Sequence, residues 1–66
     1  MKFTIEIYAT ADDGSEELLH RTTIAALTPL GARKEAGQLL AAWKKRKANA
    51  VRVLNVMGQR VYNWRE

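Results

Sequence analysis

The chain has 66 residues and a formal net charge of +4, from 11 lysines and arginines against 7 aspartates and glutamates. This length predicts a single domain, 1–66, which buries only about 60% of the unfolded chain's surface when it folds. With no cysteine and one histidine, disulfides, thiolate sites and multi-histidine metal sites are excluded, so we expect no enzyme, cofactor or metal. No run of about 18 apolar residues is present, so we expect no membrane partner and a cytoplasmic location.

The start of the chain predicts a β-hairpin. Residues 2–10 alternate between apolar and polar side chains, which is typical of a strand with one buried face. Residues 11–15 predict a turn in which Gly14 adopts a positive φ angle. Residues 17–27 predict a second strand, although the pair Leu18–Leu19 interrupts its alternation. The apolar face of the first strand consists of Phe3, Ile5, Ile7 and Ala9.

A helix is predicted over residues 29–47. Thr28 supplies a hydroxyl for the N-cap, and Pro29 fits the first helical position. Asn49 is suited to the left-handed conformation that ends a helix. Gly37 costs roughly 1 kcal/mol against alanine in a helix interior, which favours a close approach by another group there. The apolar stripe of this helix consists of Ala32, Ala36, Leu39, Leu40 and Trp43.

The end of the chain predicts a second hairpin, with strands over 50–56 and 59–65. The complete pattern is β-β-α-β-β. We therefore predict an α+β fold in two layers, a four-stranded antiparallel sheet with one helix packed on one face. The order of the strands does not follow from the sequence.

The turn of the second hairpin determines which side chains face away from the helix. A three-residue loop ending at Gly58 places Arg52 opposite Tyr62, because residues directly opposite share a face. The open face then carries Arg52, Leu54, Arg60, Tyr62 and Trp64, whereas Val51, Val53, Val61 and Asn63 face the core. A two-residue loop at Met57–Gly58 shifts the register by one residue and sends Tyr62 and Trp64 into the core instead.

Positive charge is concentrated in the second half of the chain, where residues 28–66 carry nine basic and two acidic side chains. Basic side chains beside aromatic rings on a sheet are typical of sites for single-stranded nucleic acid. The first hypothesis is therefore a nucleic-acid-binding module that uses Lys44, Lys45, Arg46, Lys47, Arg52, Arg60, Tyr62 and Trp64. The simpler alternative is that the lysine-rich run, 44–47, offsets the helix dipole as a solvated surface, with Trp43 as a core anchor.

The second hypothesis is a protein-interaction or homodimerisation domain. The same open face would bury against a partner, or an edge strand would pair across a two-fold axis. The segment 51–62, following an Ala/Leu-rich helix, resembles the last hairpin of several small uncharacterised bacterial β-β-α-β-β proteins. That resemblance implies the fold class and assigns no functional residue.

Overall fold

The computed structural model describes residues 1–65. Its elements in chain order are β1 (Lys2–Thr10), β2 (Glu16–Ala25), α1 (Pro29–Trp43), a 3-10 turn (Lys44–Arg46), β3 (Ala50–Leu54) and β4 (Arg60–Arg65). All strand pairs are antiparallel, and the sheet order is β2-β1-β3-β4, so β2 and β4 are the edges. The predicted α+β architecture is confirmed. Within these residues no helix is both long and apolar enough to cross a membrane.

The first hairpin closes through the predicted turn. Gly14 has a φ angle of 89°. The Asp13 carboxylate accepts hydrogen bonds from the backbone N–H and the hydroxyl of Ser15 at 2.9 and 2.7 Å. These bonds favour the charged carboxylate and lower the pKa of Asp13. The following strand ends at Ala25, two residues before the end of the predicted 17–27 strand.

The irregularity in β2 is a β-bulge. The register with β1 shifts between the pairs Ile7–His20 and Tyr8–Leu18, which leaves Leu19 as an extra residue in β2. A bulge admits one unpaired residue without ending the ladder. The leucine pair that interrupts the sequence alternation is therefore accommodated inside the strand.

The start of α1 follows the prediction, but its end does not. The Thr28 hydroxyl accepts the N–H of Gly31 at 3.1 Å and caps the first turn. The helix stops at Trp43 rather than running to residue 47, because a 3-10 turn follows and Lys47 adopts a left-handed φ of 68°. The prediction that Asn49 fills this role is wrong.

Asn49 instead joins the second hairpin to the end of β1. Its side-chain oxygen accepts the N–H and the hydroxyl of Thr10 at 2.8 and 2.9 Å, and its amide nitrogen donates to the Thr10 carbonyl at 2.9 Å. These bonds occupy the asparagine side chain, so it contributes to the sheet rather than to the helix end.

The core lies between α1 and the two central strands. Ala32, Ala36 and Leu40 of the predicted helix stripe are buried, and the two small alanines let the helix approach the sheet closely. Trp43 and Leu39 are partly buried and pack against this core, so Trp43 contacts the core at its margin and is not one of its buried members. The core consists of Phe3, Ile5, Ile7, Ala32, Ala36, Leu40, Ala48, Val51 and Val53.

The second hairpin has the predicted three-residue turn. The backbone N–H of Asn55 donates to the carbonyl of Gln59 at 2.9 Å, and the N–H of Gly58 donates to the carbonyl of Asn55 at 3.0 Å. Gly58 has a φ angle of 79°. The first pair beyond the turn, Leu54 with Arg60, is also the predicted one.

The predicted faces of β4 are nevertheless wrong. Immediately after the Leu54–Arg60 pair the register shifts, and Val53 pairs with Tyr62. Val61 is the extra residue of a second bulge, and a one-residue shift exchanges the two faces of a strand. Tyr62 therefore shares the helix side of the sheet with Val53, and the prediction that it lies opposite Arg52 fails.

The remaining pairs of β3 and β4 follow from this shift. Val51 pairs with Trp64, and Arg52 pairs with Asn63. Val61 is 38% exposed rather than part of the core lining. Because β1 aligns Glu6 with Arg52, the open face of the sheet carries Glu6, Tyr8, Arg52, Arg60, Asn63 and Arg65.

Candidate functional site

The predicted nucleic-acid site residues lie in three separate places. Arg52 and Arg60 are on the open face of the sheet, Tyr62 and Trp64 are on the helix side, and the basic run 44–47 continues from the end of α1. Tyr62 therefore does not lie beside Arg52 on one surface. Trp64, although it pairs on the helix side, also lines a depression that contains Arg52.

The two aromatic side chains of β4 line a groove along the flank of the helix. This α1–β4 groove has a volume of about 220 Å³, and its lining residues are Arg33, Gly37, Leu40, Val51, Tyr62 and Trp64. Tyr62 is half-buried against the core, and Trp64 remains 39% exposed. The groove is thus an apolar and aromatic depression that is open to solvent.

Arg33 forms the polar end of the groove. Its guanidinium carbon lies 4.3 Å from the centre of the Tyr62 ring, in cation–π geometry. α1 packs mainly on β1 and β3, and on the flank toward β4 this arginine and the two rings line the groove. Arg33 was not among the residues predicted for a site, because no local feature of the sequence indicates that it faces a strand more than twenty residues away.

Gly37 opens the wall of the groove that the helix provides. A Cβ atom at this position would meet nothing within 4 Å, so packing within the chain does not require glycine here. Glycine nevertheless destabilises a helix interior by roughly 1 kcal/mol relative to alanine. The missing side chain leaves the helix backbone accessible beside Trp64.

The strand beside the groove is a sheet edge. β4 has one neighbouring strand, β3, so the outer row of its backbone N–H and C=O groups faces away from the sheet. A row of this kind is a template for another extended chain. β4 contains no lysine or proline, but it has the bulge at Val61 and an arginine at each end, and bulges and charges also limit pairing at an edge.

The open face beside β4 contains a second depression, lined mainly by polar groups. This arginine pocket has a volume of about 220 Å³, and its lining residues are Tyr8, Glu16, Ala50, Val51, Arg52, Arg60, Asn63, Trp64 and Arg65. Arg52 is bound to Glu16 at 3.2 Å and lies 4.5 Å from the centre of the Tyr8 ring. Three arginines and one glutamate thus line this pocket.

The centre of the open face is a buried ionic cluster. Glu6 is 4% exposed; it accepts a hydrogen bond from the Tyr8 hydroxyl at 2.8 Å and from the Nε and Nη2 atoms of Arg21 at 3.0 and 2.6 Å. Burial alone raises the pKa of Glu6, but these bonds and the charges of Arg21 and Arg52 outweigh it and lower the pKa. Both carboxylate oxygens are therefore occupied.

Tyr8 completes this cluster. Burial and the hydrogen bond to Glu6 raise the pKa of Tyr8, and its hydroxyl oxygen accepts a bond from Nη1 of Arg52 at 3.2 Å. The polar side chains in the middle of the open face are consequently hydrogen-bonded to one another. Polar side chains that could bind a ligand lie further out, near β4.

Trp43, the last residue of α1, stacks on His20 and contacts one arginine of the basic run that follows. The rings of Trp43 and His20 are 4.8 Å apart and inclined by 19°, and the Arg46 guanidinium lies 5.5 Å from the centre of the Trp43 ring. Trp43 is partly buried by these contacts, so its rings have neighbours on the protein itself. The residues of the run 44–47 are exposed.

Comparison of the chain with protein-family models, with curated proteins and with solved structures found no match. Within residues 1–65, no three histidine, aspartate or glutamate side chains come together in a group that could hold a metal ion. The groove, the edge strand and the arginine pocket are therefore the candidate functional features of this chain.

Proposed function

We propose that this protein is a binding module, rather than a catalyst, that captures an extended segment of a partner protein along β4. The segment adds to the sheet as a fifth strand and places an apolar side chain in the α1–β4 groove. The single observation that carries the proposal is the position of an apolar, solvent-open groove directly beside an unpaired sheet edge.

The physical basis is that strand addition and groove filling are complementary. Main-chain hydrogen bonds to the edge provide affinity without regard to sequence, and alternate side chains provide specificity. An apolar side chain of leucine size that becomes buried in the groove contributes about 1.5–3 kcal/mol. Trp64 is 39% exposed, so a ligand in the groove would bury more of its solvent-accessible surface.

A different protein is favoured over a second copy of this chain. Two copies pairing through β4 would bring together two chains that each carry a net charge of +4. They would also bring together the arginines that flank the strand, Arg33, Arg60 and Arg65. Like charges in such proximity oppose association.

Single-stranded nucleic acid remains the competing hypothesis. It is supported by the basic second half of the chain and by the exposure of Trp64. It is weakened because Tyr62 and Arg52 are on opposite sides of the sheet, so stacking and phosphate contacts would have to come from two surfaces.

The proposal is tested by NMR with a short blocked peptide that alternates valine with threonine. Alternate β4 amides should gain protection from hydrogen exchange, and the indole N–H resonance of Trp64 should shift. Trp64→Ala should weaken binding about tenfold, since 1.4 kcal/mol corresponds to that factor. Leu27→Ala is the matched control, because Leu27 is 92% exposed and lies outside the groove.

Two further measurements distinguish the occupants. Peptides N-methylated along one edge should lose binding, while those methylated along the other edge should retain it. Protection confined to β2, or no protection anywhere, would refute strand addition to β4. A concentration-dependent dimer in sedimentation that Trp64→Ala abolishes would assign the groove to a second copy instead.

A further inference from the structure

The strand β4 separates two depressions of different chemistry. On the helix side lies the α1–β4 groove, whose aromatic members are Tyr62 and Trp64. On the open side lies the arginine pocket, and Trp64 lines both depressions. A strand added to β4 would therefore pass between an apolar site and a cationic site.

The charge of the arginine pocket is incompletely balanced. Glu16 is engaged by Arg52, whose side chain is 23% exposed. In the part of the chain that the structure describes, Arg60 and Arg65 form no ion pair, and both residues are exposed. These two guanidinium groups lie on the same face of β4 as Asn63.

The pleat of a strand connects the two depressions to one ligand. Successive side chains of an extended segment point to opposite faces, and residues directly opposite each other across a ladder share a face. A segment paired with β4 would thus present alternate side chains to Tyr62 and Trp64 on one side and to Arg60 and Arg65 on the other.

Resting on the proposed function, we propose that the partner segment alternates apolar with acidic side chains. The apolar side chains enter the α1–β4 groove, and the carboxylates face the arginine pocket. Carboxylates match the planar fork of arginine, which binds them through paired N–H donors. The same charges disfavour a segment with lysine or arginine at those positions.

The test compares three blocked peptides of equal length, in which valine alternates with glutamate, glutamine or lysine. At low salt the glutamate peptide should bind at least about fivefold more tightly than the glutamine peptide, and the lysine peptide should bind most weakly. The difference should shrink as ionic strength rises, because exposed ion pairs are screened. NMR titration of the β4 amides measures all three affinities.

Arginine variants assign the effect to the pocket. Arg60→Gln and Arg65→Gln should each reduce the affinity for the glutamate peptide more than the affinity for the glutamine peptide, and so narrow the preference between the two peptides. Lys34→Gln removes the same charge from an exposed helix position outside both depressions, and it should retain the preference.

The possible failures are distinguishable. Equal affinity for the glutamate and glutamine peptides would overturn the acidic pattern and leave strand addition intact. Failure of every peptide to bind would overturn both proposals. A single-stranded oligonucleotide that displaces the glutamate peptide and shifts the same β4 resonances would also overturn the inference, in favour of a nucleic-acid ligand.

Discussion

Replacing Gly37 with alanine is expected to change stability and binding in opposite directions. The added Cβ meets nothing within 4 Å, so it introduces no clash. Alanine loses less backbone entropy in a helix than glycine, and the gain is about 0.5–1 kcal/mol. In a domain of this size that gain raises the midpoint of thermal unfolding by about 2–8 °C.

Gly37 lines the α1–β4 groove, so we expect the added methyl group to project into it. The volume there is about 220 Å³, and a side chain at Gly37 occupies part of the space that a ligand would use. Gly37→Ala should therefore weaken binding of the valine–threonine peptide, and Gly37→Leu should abolish it. Leucine is a strong helix former, so the second variant should remain folded.

Thermal unfolding followed by far-ultraviolet circular dichroism measures stability, and the NMR titration measures binding. Gln38→Ala is the matched control, since it changes an exposed neighbour of Gly37 and should affect both quantities only slightly. If Gly37→Leu is folded and still binds the peptide with unchanged affinity, the glycine does not serve the groove. If Gly37→Ala lowers stability, the space above the helix is not open.

The ionic cluster and the second bulge provide the remaining predictions. Arg21→Gln should lower the free energy of unfolding in urea titrations, because it removes charge-assisted hydrogen bonds to buried Glu6; unchanged stability would contradict this. Because the pKa of Glu6 is lowered in the folded chain, its ionised carboxylate stabilises the fold at pH values above the ordinary pKa of 4.5, and this stabilisation is lost as the pH falls through the folded-state pKa. The free energy of unfolding of Glu6→Gln should therefore decrease less steeply in acid than that of the unaltered chain, and parallel pH profiles would refute the assignment. Deleting Val61 should leave Trp64 on the helix side with the same fluorescence quenching, whereas deleting Asn63 should move it to the open face; the reverse result would show that the register is misassigned.

The elements of this fold are determined locally. Strict alternation over 2–10 produces β1, and the Thr28–Pro29 pair begins α1 where a hydroxyl cap and a preset φ angle favour it. Gly14 and Gly58 each adopt the positive φ angle that their turns require. Each of these features depends on a few consecutive residues, so the sequence predicts them without knowledge of the rest of the chain.

The candidate site is only partly visible in the sequence. Gly37, Tyr62 and Trp64 are conspicuous by residue type, because a glycine inside a helix is costly and large aromatic rings are rare in a chain this short. Arg33 and Asn63 are not conspicuous. Their role depends on which strand lies beside α1 and on which face of β4 they occupy.

The face of Tyr62 and Trp64 was decided by tertiary structure alone. Turn chemistry determined the pairs next to Gly58, but the extra residue at Val61 reversed every face beyond it. The side-chain period of a strand is two, so one inserted residue outweighs all the local signals that precede it. With the bulge, both rings lie on the side of the sheet that α1 partly covers. There Tyr62 packs against the edge of the core and against the Arg33 guanidinium.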